Sequence, residues 1–597
     1  MRLEYELTWG ADVRPDGVRF RLWAPAAQSV STVLVGGGGE RIVPMDYGGE
    51  GWYECVDPSA RAGARYFFEI DGGDRVPDPA ARFAPEGPQG PSEVVDLAKL
   101  RPRRRFETIP AFERLVFYEL HVGTFTRSGT YAEAATRLDY LAELGINAVE
   151  LMPLAEWPGE RNWGYDGVLF YAPAHHYGRP EDLRALIDAA HERGIAMFLD
   201  VVYNHFGPQD NYLRRYAPQF FTRDHTTPWG EAIDYSSPHN DPVRSFVIDN
   251  AVYWLRDYGF DGLRLDATQT IFDTRKPHVL GALALSAKTD ATTPAYLVLE
   301  NDENDVRLLM SGYDAQWNDD VHHCLHVALT GERDGYYEDY VQEPVGLLGR
   351  ALTRGFAYQG EPSAFRAGRT RGAPSGGLEL SSFVNFLQNH DQIGNRAFGE
   401  RITAIANPQA VRAATAVLLL APSPPMLFMG QEWGASSPFL FFCDFDASLA
   451  NLVTEGRRNE FARFERFSDP KLRATIPDPS MRETFVRSKL DWDEPSREPH
   501  RALLELHREL LRIRRAEVDP RLHRLSGRDA WYEMRGSRAL FARWMHAEGS
   551  GLVLEANLTD APQAGFNEHA RGRLLYATHA VFENGVAPGW SVRWSIE

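Results

Sequence analysis

The sequence predicts an α/β chain centred on a (β/α)8 TIM barrel, with an N-terminal immunoglobulin-like β-sandwich before it and a C-terminal β-domain after it. Three observations carry that expectation. Residues 1–105 and 501–597 hold runs of alternating apolar and polar side chains, as half-buried strands do, while residues 106–500 cycle through strand, helix and strand. The central stretch holds eight strand candidates, the number that closes a barrel. Reactive side chains follow the third, fourth, fifth and seventh of them. A barrel gathers such groups at one mouth, whereas an open sheet uses a single crevice at its switch point.

In the first domain, residues 17–23 and 64–70 read as strands, and glycines at 36–39 and 72–73 supply turns. Four arginines in 101–106 read as a solvated linker. Residues 116–122 form the first barrel strand. A helix around 131–144 follows, with Leu138 and Leu141 on its apolar face, and Gly145 ends it before a strand at 146–152. The phrase repeats: Pro180 opens a helix, Gly194 closes it, and the strand at 195–199 runs into Asp200. A helix over 243–257, stopped by Gly259, precedes the strand at 262–266. The remaining candidates are 296–299, 315–318, 383–387 and 425–429. Residues 360–377, rich in Gly, Ser, Arg and Pro, read as an exposed loop beside the cleft. A helix around 503–513 leads into strands at 539–544 and 551–556.

At 597 residues the chain exceeds one ordinary domain, and 43% hydrophobic with 25% charged residues marks a soluble globular protein. A formal net charge of −19 argues against a nucleic-acid or anionic-membrane partner, and a neutral polyol would be indifferent to it. The three cysteines are scattered and lack metal-ligand spacing, so neither a disulfide framework nor a zinc site is expected. No stretch has signal-peptide or membrane-span character, which makes cytoplasm the expected location.

Four segments carry the chemistry: 200–205, 262–266, 299–301 and 388–391. Arg264 and Asp266 lie two apart on a strand and share a face, so the guanidinium holds Asp266 ionised, as a nucleophile requires. Taken alone, the pair reads equally well as a buried ion pair closing the barrel end. Glu300 leaves an apolar strand, and desolvation beside Asp266 raises its pKa toward that of a proton donor. Asp391 is a third carboxylate, able to grip sugar hydroxyls and offset an oxocarbenium-like charge. His205 and His390 are read as neutral donors, and Asp200 as an orienter of Arg264. Trp163 and Tyr165 offer aromatic faces for a pyranose, Tyr165 more so because glycines flank it.

In order and content the four segments resemble the signature regions of the α-amylase family of glycoside hydrolases. The resemblance implies Asp266 as nucleophile, Glu300 as general acid/base and Asp391 as transition-state stabiliser. It also implies Arg264, His205 and His390 at the scissile bond, with retention of anomeric configuration. The first domain looks like the carbohydrate-binding module that precedes the barrel in branching, debranching and trehalose-releasing members. Residues 119–125, 158–167, 317–323 and 441–445 are most similar to the trehalose-releasing group. Membership there implies cleavage of the α-1,4 bond next to a terminal trehalose, with a malto-oligosaccharide as the small-molecule partner. It further implies substrate contacts from Asp319, Asp320, His322, His323, Gln392 and Asn395. A solvated strand-end loop accounts for Asp319 and Asp320 equally well. Asn204 matches a calcium ligand of some relatives, but without further oxygen ligands no metal or other cofactor is expected. A glycogen branching or debranching enzyme is the alternative within enzymes, and a non-catalytic glucan-binding protein the alternative outside them.

Overall fold

A computed structural model describes residues 7–102, 109–290, 295–546 and 549–597, apart from the side chains of 290, 463 and 465. Most of the expected arginine-rich linker, at 103–106, lies outside the described residues.

The N-terminal part is a sandwich. One sheet runs in the order Asp12–Arg14, Gly17–Trp23, Trp52–Asp57, Asp46–Gly49. The other runs Gly39–Pro44, Val30–Gly36, Arg65–Ile70, Asp74–Val76, with Ser92–Glu93 also paired to Arg65–Ile70. Tyr66, Phe68 and Ile70 alternate inward along their strand, and Phe20 of the facing sheet meets the Tyr66 ring edge-on at 4.8 Å. The sandwich is fastened to the barrel by Trp9, whose ring meets Phe246 at 4.9 Å, and by Arg82, whose guanidinium lies over Tyr171 and Tyr253.

Eight parallel strands close the barrel: β1 Phe117–Leu120, β2 Ala148–Leu151, β3 Ala196–Val201, β4 Gly262–Leu265, β5 Tyr296–Leu299, β6 Ala315–Trp317, β7 Phe383–Phe386 and β8 Pro425–Phe428. Every strand candidate of the central region is one of these. Phe117, Phe198, Val298, Val384, Phe386 and Met426 fill the interior, so the barrel is a packed core and not a pore. Gly145, Gly194 and Gly259 adopt the left-handed backbone that ends each preceding helix.

Two local expectations are corrected. The single helix around 131–144 is two, Tyr131–Ala135 and Leu138–Leu144, with the Thr136 hydroxyl donating back to the Glu133 carbonyl at the break. The segment 360–377 is not simply an exposed loop. Glu361–Pro362 pairs with Thr370–Arg371, and Arg371 turns inward to a buried ion pair with Asp320 at 3.0 Å. A buried carboxylate draws the segment down, and loop-like composition does not report it.

Helix His500–Ile513 leads to a five-stranded C-terminal sheet, ordered Ala530–Met534, Ala539–Met545, Gly551–Asn557, Ser591–Ile596, Arg573–Ala577. The Trp594 indole donates to the Ala416 carbonyl of helix Pro408–Leu420, and Trp544 to that of Leu352, which fixes this sheet against the barrel's outer helices. Among the described residues no helix is long and apolar enough to cross a membrane.

Candidate active site

The site is built around a single buried cation. Arg264 points inward from β4 and is completely closed to solvent. Its Nη1 donates to Asp200 Oδ2 at 2.6 Å and to Asp266 Oδ1 at 2.8 Å, and its Nη2 donates to Glu300 Oε2 at 2.8 Å. The guanidinium lies 4.1 Å over the Trp317 ring. Three carboxylates from the ends of β3, β4 and β5 therefore meet on one guanidinium, with Asp200 and Arg264 directly paired in the β3–β4 register.

Asp266 has both oxygens engaged, Oδ1 by Arg264 and Oδ2 by the Asn204 amide at 3.0 Å. Its pKa is raised on balance: burial, with Asp200 and Asp391, pushes it up against the pull of Arg264 and the Asn204 hydrogen bond, so the guanidinium alone does not set its charge as expected. The following residue, Ala267, sits in the left-handed region at φ 40°, which turns its N–H onto Glu300 Oε2 at 2.8 Å. Glu300 Oε2 thus accepts twice, and among the described residues no protein group reaches Oε1. Burial raises the Glu300 pKa to about 8, against the pull of Arg264 and with the help of Asp266 and Asp391. A neutral Glu300 must carry its proton on Oε1.

Asp391 follows β7 on a short helix, His390–Gly394, and stays about one-third exposed. Its Oδ1 accepts from the Asn395 amide at 3.1 Å and lies 3.4 Å from His390 Nε2. Gln392 reaches back to Asp319 Oδ1 at 3.3 Å, and the Asp319 pKa is driven well up by burial and by Glu300. Tyr165 donates to Asp200 Oδ2 at 2.7 Å and stacks on the His390 ring at 5.1 Å. His205 is buried, bonded through Nδ1 to the Asn204 amide oxygen at 2.5 Å, and burial lowers its pKa to about 4, so it is the neutral imidazole expected. Asn204 spends its amide on Asp266 and His205.

Five expectations change. Asp320 does not face the cleft. Its carboxylate is fully buried and accepts from Asn304, Tyr340 and the backbone N–H groups of Ala357 and Tyr358, besides pairing with Arg371. His322 is likewise enclosed, with Nδ1 on the Leu387 carbonyl and Nε2 on the Tyr337 hydroxyl. His323 is buried against the rings of Tyr336 and Tyr340. Trp163 is only 4% exposed, donates to the Leu440 carbonyl and stacks on Phe439, so it props His390 edge-on instead of presenting a face to a sugar. His390 does not stand as an isolated donor: against burial, Asp391 and Glu119 raise its pKa to about 9, and Glu119 Oε1 lies 2.5 Å from its Nδ1.

Sequence reasoning gave no role to Glu119, Glu150 or Trp229. Glu119 and Glu150 are adjacent in the β1–β2 register, and both are carboxylates within apolar strands, a signal that was available. Trp229 lies at the turn between Phe221–Thr227 and Gly230–Ile233, is 49% exposed, and stacks on His205 at 5.4 Å.

Comparison with known proteins agrees with this geometry. Residues 118–227 match the alpha-amylase catalytic domain, 5–84 match carbohydrate-binding module 48 (isoamylase N-terminal domain), and 527–594 match a domain of unknown function, DUF3459. The chain is 46% identical over 516 residues to the malto-oligosyltrehalose trehalohydrolase of Deinococcus radiodurans, covering 85% of this chain and 82% of that one. It is 39% identical over 589 residues to the one from Rhizobium sp., covering 95% of each. A crystal structure titled as a putative alpha amylase from Salmonella typhimurium superposes with a TM-score of 0.92 at 39% identity, over 99% of this chain and 100% of that one. The chain belongs to the malto-oligosyltrehalose trehalohydrolases of the α-amylase family.

Proposed function

We propose that this chain hydrolyses the α-1,4-glucosidic bond next to the terminal trehalose of malto-oligosyltrehalose with retention of configuration. One observation carries the mechanism: Asp266 and Glu300 share the Arg264 guanidinium yet differ in how their oxygens are engaged. Asp266 accepts on both oxygens, which favours the carboxylate form needed for attack at the anomeric carbon. Glu300 keeps Oε1 free for a proton, which passes to the glycosidic oxygen as trehalose departs. Asp391, open to the cleft, grips hydroxyls of the attacked ring and offsets its positive charge. Water, deprotonated by Glu300, then resolves the glycosyl-enzyme and releases the malto-oligosaccharide. Arg264 holds the reacting pair, His205, His390, Tyr165 and Asp319 surround the ring, and Gln392 and Asn395 orient Asp319 and Asp391. Names of relatives at 46% and 39% identity support the trehalose-capped substrate. Cys55, Cys324 and Cys443 are unpaired, which suits a reducing cytoplasm.

The deciding assay incubates the protein separately with maltopentaose and with its trehalose-capped counterpart. Free trehalose from the capped substrate, with little action on maltopentaose, is the expected result. Branching or debranching of glucans without trehalose release would reject the reading.

A further inference from the structure

Glu119 comes from β1, on the far side of the seventh-strand motif in sequence, yet both of its oxygens are spent on one residue. Oε1 lies 2.5 Å from His390 Nδ1, and Oε2 accepts the His390 backbone N–H at 2.9 Å. The Glu119 carbonyl is itself fixed by the Met429 N–H. On the other side of the ring, His390 Nε2 faces Asp391 Oδ1 at 3.4 Å. Ionised carboxylates only accept, and a neutral imidazole has one N–H. An imidazolium, with an N–H on each nitrogen, is the one ring form that can face two ionised carboxylates without turning a lone pair toward either.

We propose that Glu119 is a positioning residue that holds His390 as an imidazolium cation, with Nε2 a permanent donor beside Asp391. The proposal rests on the hydrolytic reading for its catalytic meaning, not for the protonation state itself. Its consequence is directional. Asp391 can only accept and His390 Nε2 can only donate, so together they read a sugar hydroxyl in one orientation. The cation also screens Asp391 from the other carboxylates of the mouth.

The surroundings of His390 are consistent with this state. Glu150, beside Glu119 on β2, has its pKa driven well up by burial, Asp200 and Glu119, so it is neutral and adds no competing anion. Asp200 from β3 is already claimed by Arg264 and Tyr165. Arg264 from β4 opposes a second cation, but its charge is already paired with Asp200 and Asp266. His121, after β1, is kept neutral by burial, with its pKa lowered to about 3. Tyr165, Trp163 and Trp317 contribute ring faces or edges and no charge. Burial alone would strip the proton from His390, and the two carboxylates reverse that to about 9.

The first test is on unmodified protein, with nitrogen-15-labelled histidine and a His390→Gln spectrum to assign the signal. The His390 ring nitrogens should remain doubly protonated from about pH 5 to about pH 8. A midpoint at or below the ordinary histidine value of about 6.5 would overturn the proposal. In Glu119→Gln the midpoint should fall by about one pH unit or more, and the alkaline decline of kcat/KM should begin at correspondingly lower pH than in wild type. An unchanged midpoint in a folded Glu119→Gln protein would also overturn it. Should that variant fail to fold, the wild-type titration still decides. Because the nitrogen signal is read without turnover, failure of trehalose release and failure of the imidazolium remain separate outcomes.

Discussion

Arg264 Nη2 donates to Glu300 Oε2 at 2.8 Å, and the Ala267 N–H donates to the same oxygen, so the only place for the acid proton is Oε1. The pH dependence follows from that geometry. With the Glu300 pKa raised to about 8, the acid form needed to protonate the leaving oxygen is lost as pH rises through about 8, and kcat/KM should fall there. The same shift acts on stability with a definite sign. Folded Glu300 retains a proton that the unfolded chain releases near its ordinary value of 4.5, so its contribution is full below that pH and is lost as pH rises to about 8. Glu300→Gln should therefore lower kcat by about 10²–10⁴-fold. Its melting temperature should exceed wild type most at alkaline pH. Wild-type turnover in this variant, or an unchanged melting difference between acid and alkaline pH, would contradict the assignment.

Arg264→Lys is the second prediction. A guanidinium offers two nitrogens in a plane and serves Asp200, Asp266 and Glu300 at once, whereas an ammonium is one point of charge. The substitution keeps the formal charge but leaves at least one buried carboxylate unmatched. Arg264 also loses its stacking on Trp317. The expected outcome is a fall in kcat of about 10²-fold or more with KM changed far less. Removing the charge altogether, as in Arg264→Ala, should cost about 3–5 kcal/mol of stability in denaturant titration.

Asp319 and Asp320 provide a paired prediction, because they are neighbours with opposite surroundings. Asp319 is half-buried in the cleft, linked to Gln392 and close enough to Glu300 to raise its own pKa. Asp320 is enclosed and bound by Arg371, Tyr340, Asn304 and two backbone N–H groups. Asp319→Asn should alter kcat/KM with little change in melting temperature. Asp320→Ala should cost about 3–5 kcal/mol in unfolding while KM of the remaining folded enzyme holds. The reverse pattern would show that the two residues had been misassigned.

That pair also marks where sequence ceased to be informative. All eight barrel strands were legible, because short apolar runs bounded by glycine-closed helices repeat regularly, and so were the carboxylates that end β4 and β5. Which of two adjacent aspartates faces the cleft was not. Helix Asp319–Thr330 begins at this point, and successive helical residues point about 100° apart. The partner that claims Asp320 arrives from Arg371, inside a stretch whose Gly, Ser and Pro content suggested only a loop. Trp163 and Tyr165 pose the same difficulty. Both flank Gly164, but Phe439 and Leu440, distant in sequence, cover the tryptophan and leave the tyrosine against His390. The surroundings of His390 were hidden for a related reason. Its Nδ1 partner is Glu119, and no spacing within the seventh-strand motif points to β1.

Trp229 gives the last prediction. Nearly half exposed and stacked on His205, it contributes little to any core, so Trp229→Ala should change unfolding stability by about 0.5 kcal/mol or less. A large apolar ring left open beside a buried site histidine is suited to meet the apolar face of a pyranose. Aromatic stacking of this kind is worth about 0.5–1.5 kcal/mol, which corresponds to a rise in KM of roughly two- to tenfold. Among the described residues the ring stacks on His205 and makes no hydrogen bond to Asp266, Glu300 or Asp391, so kcat should change less than KM. Trp229→Phe, which keeps a flat face of smaller area, should fall between wild type and Trp229→Ala. Steady-state kinetics on the trehalose-capped substrate would measure all three proteins. Equal KM values across the series would remove Trp229 from the substrate path and leave it a support for His205 alone.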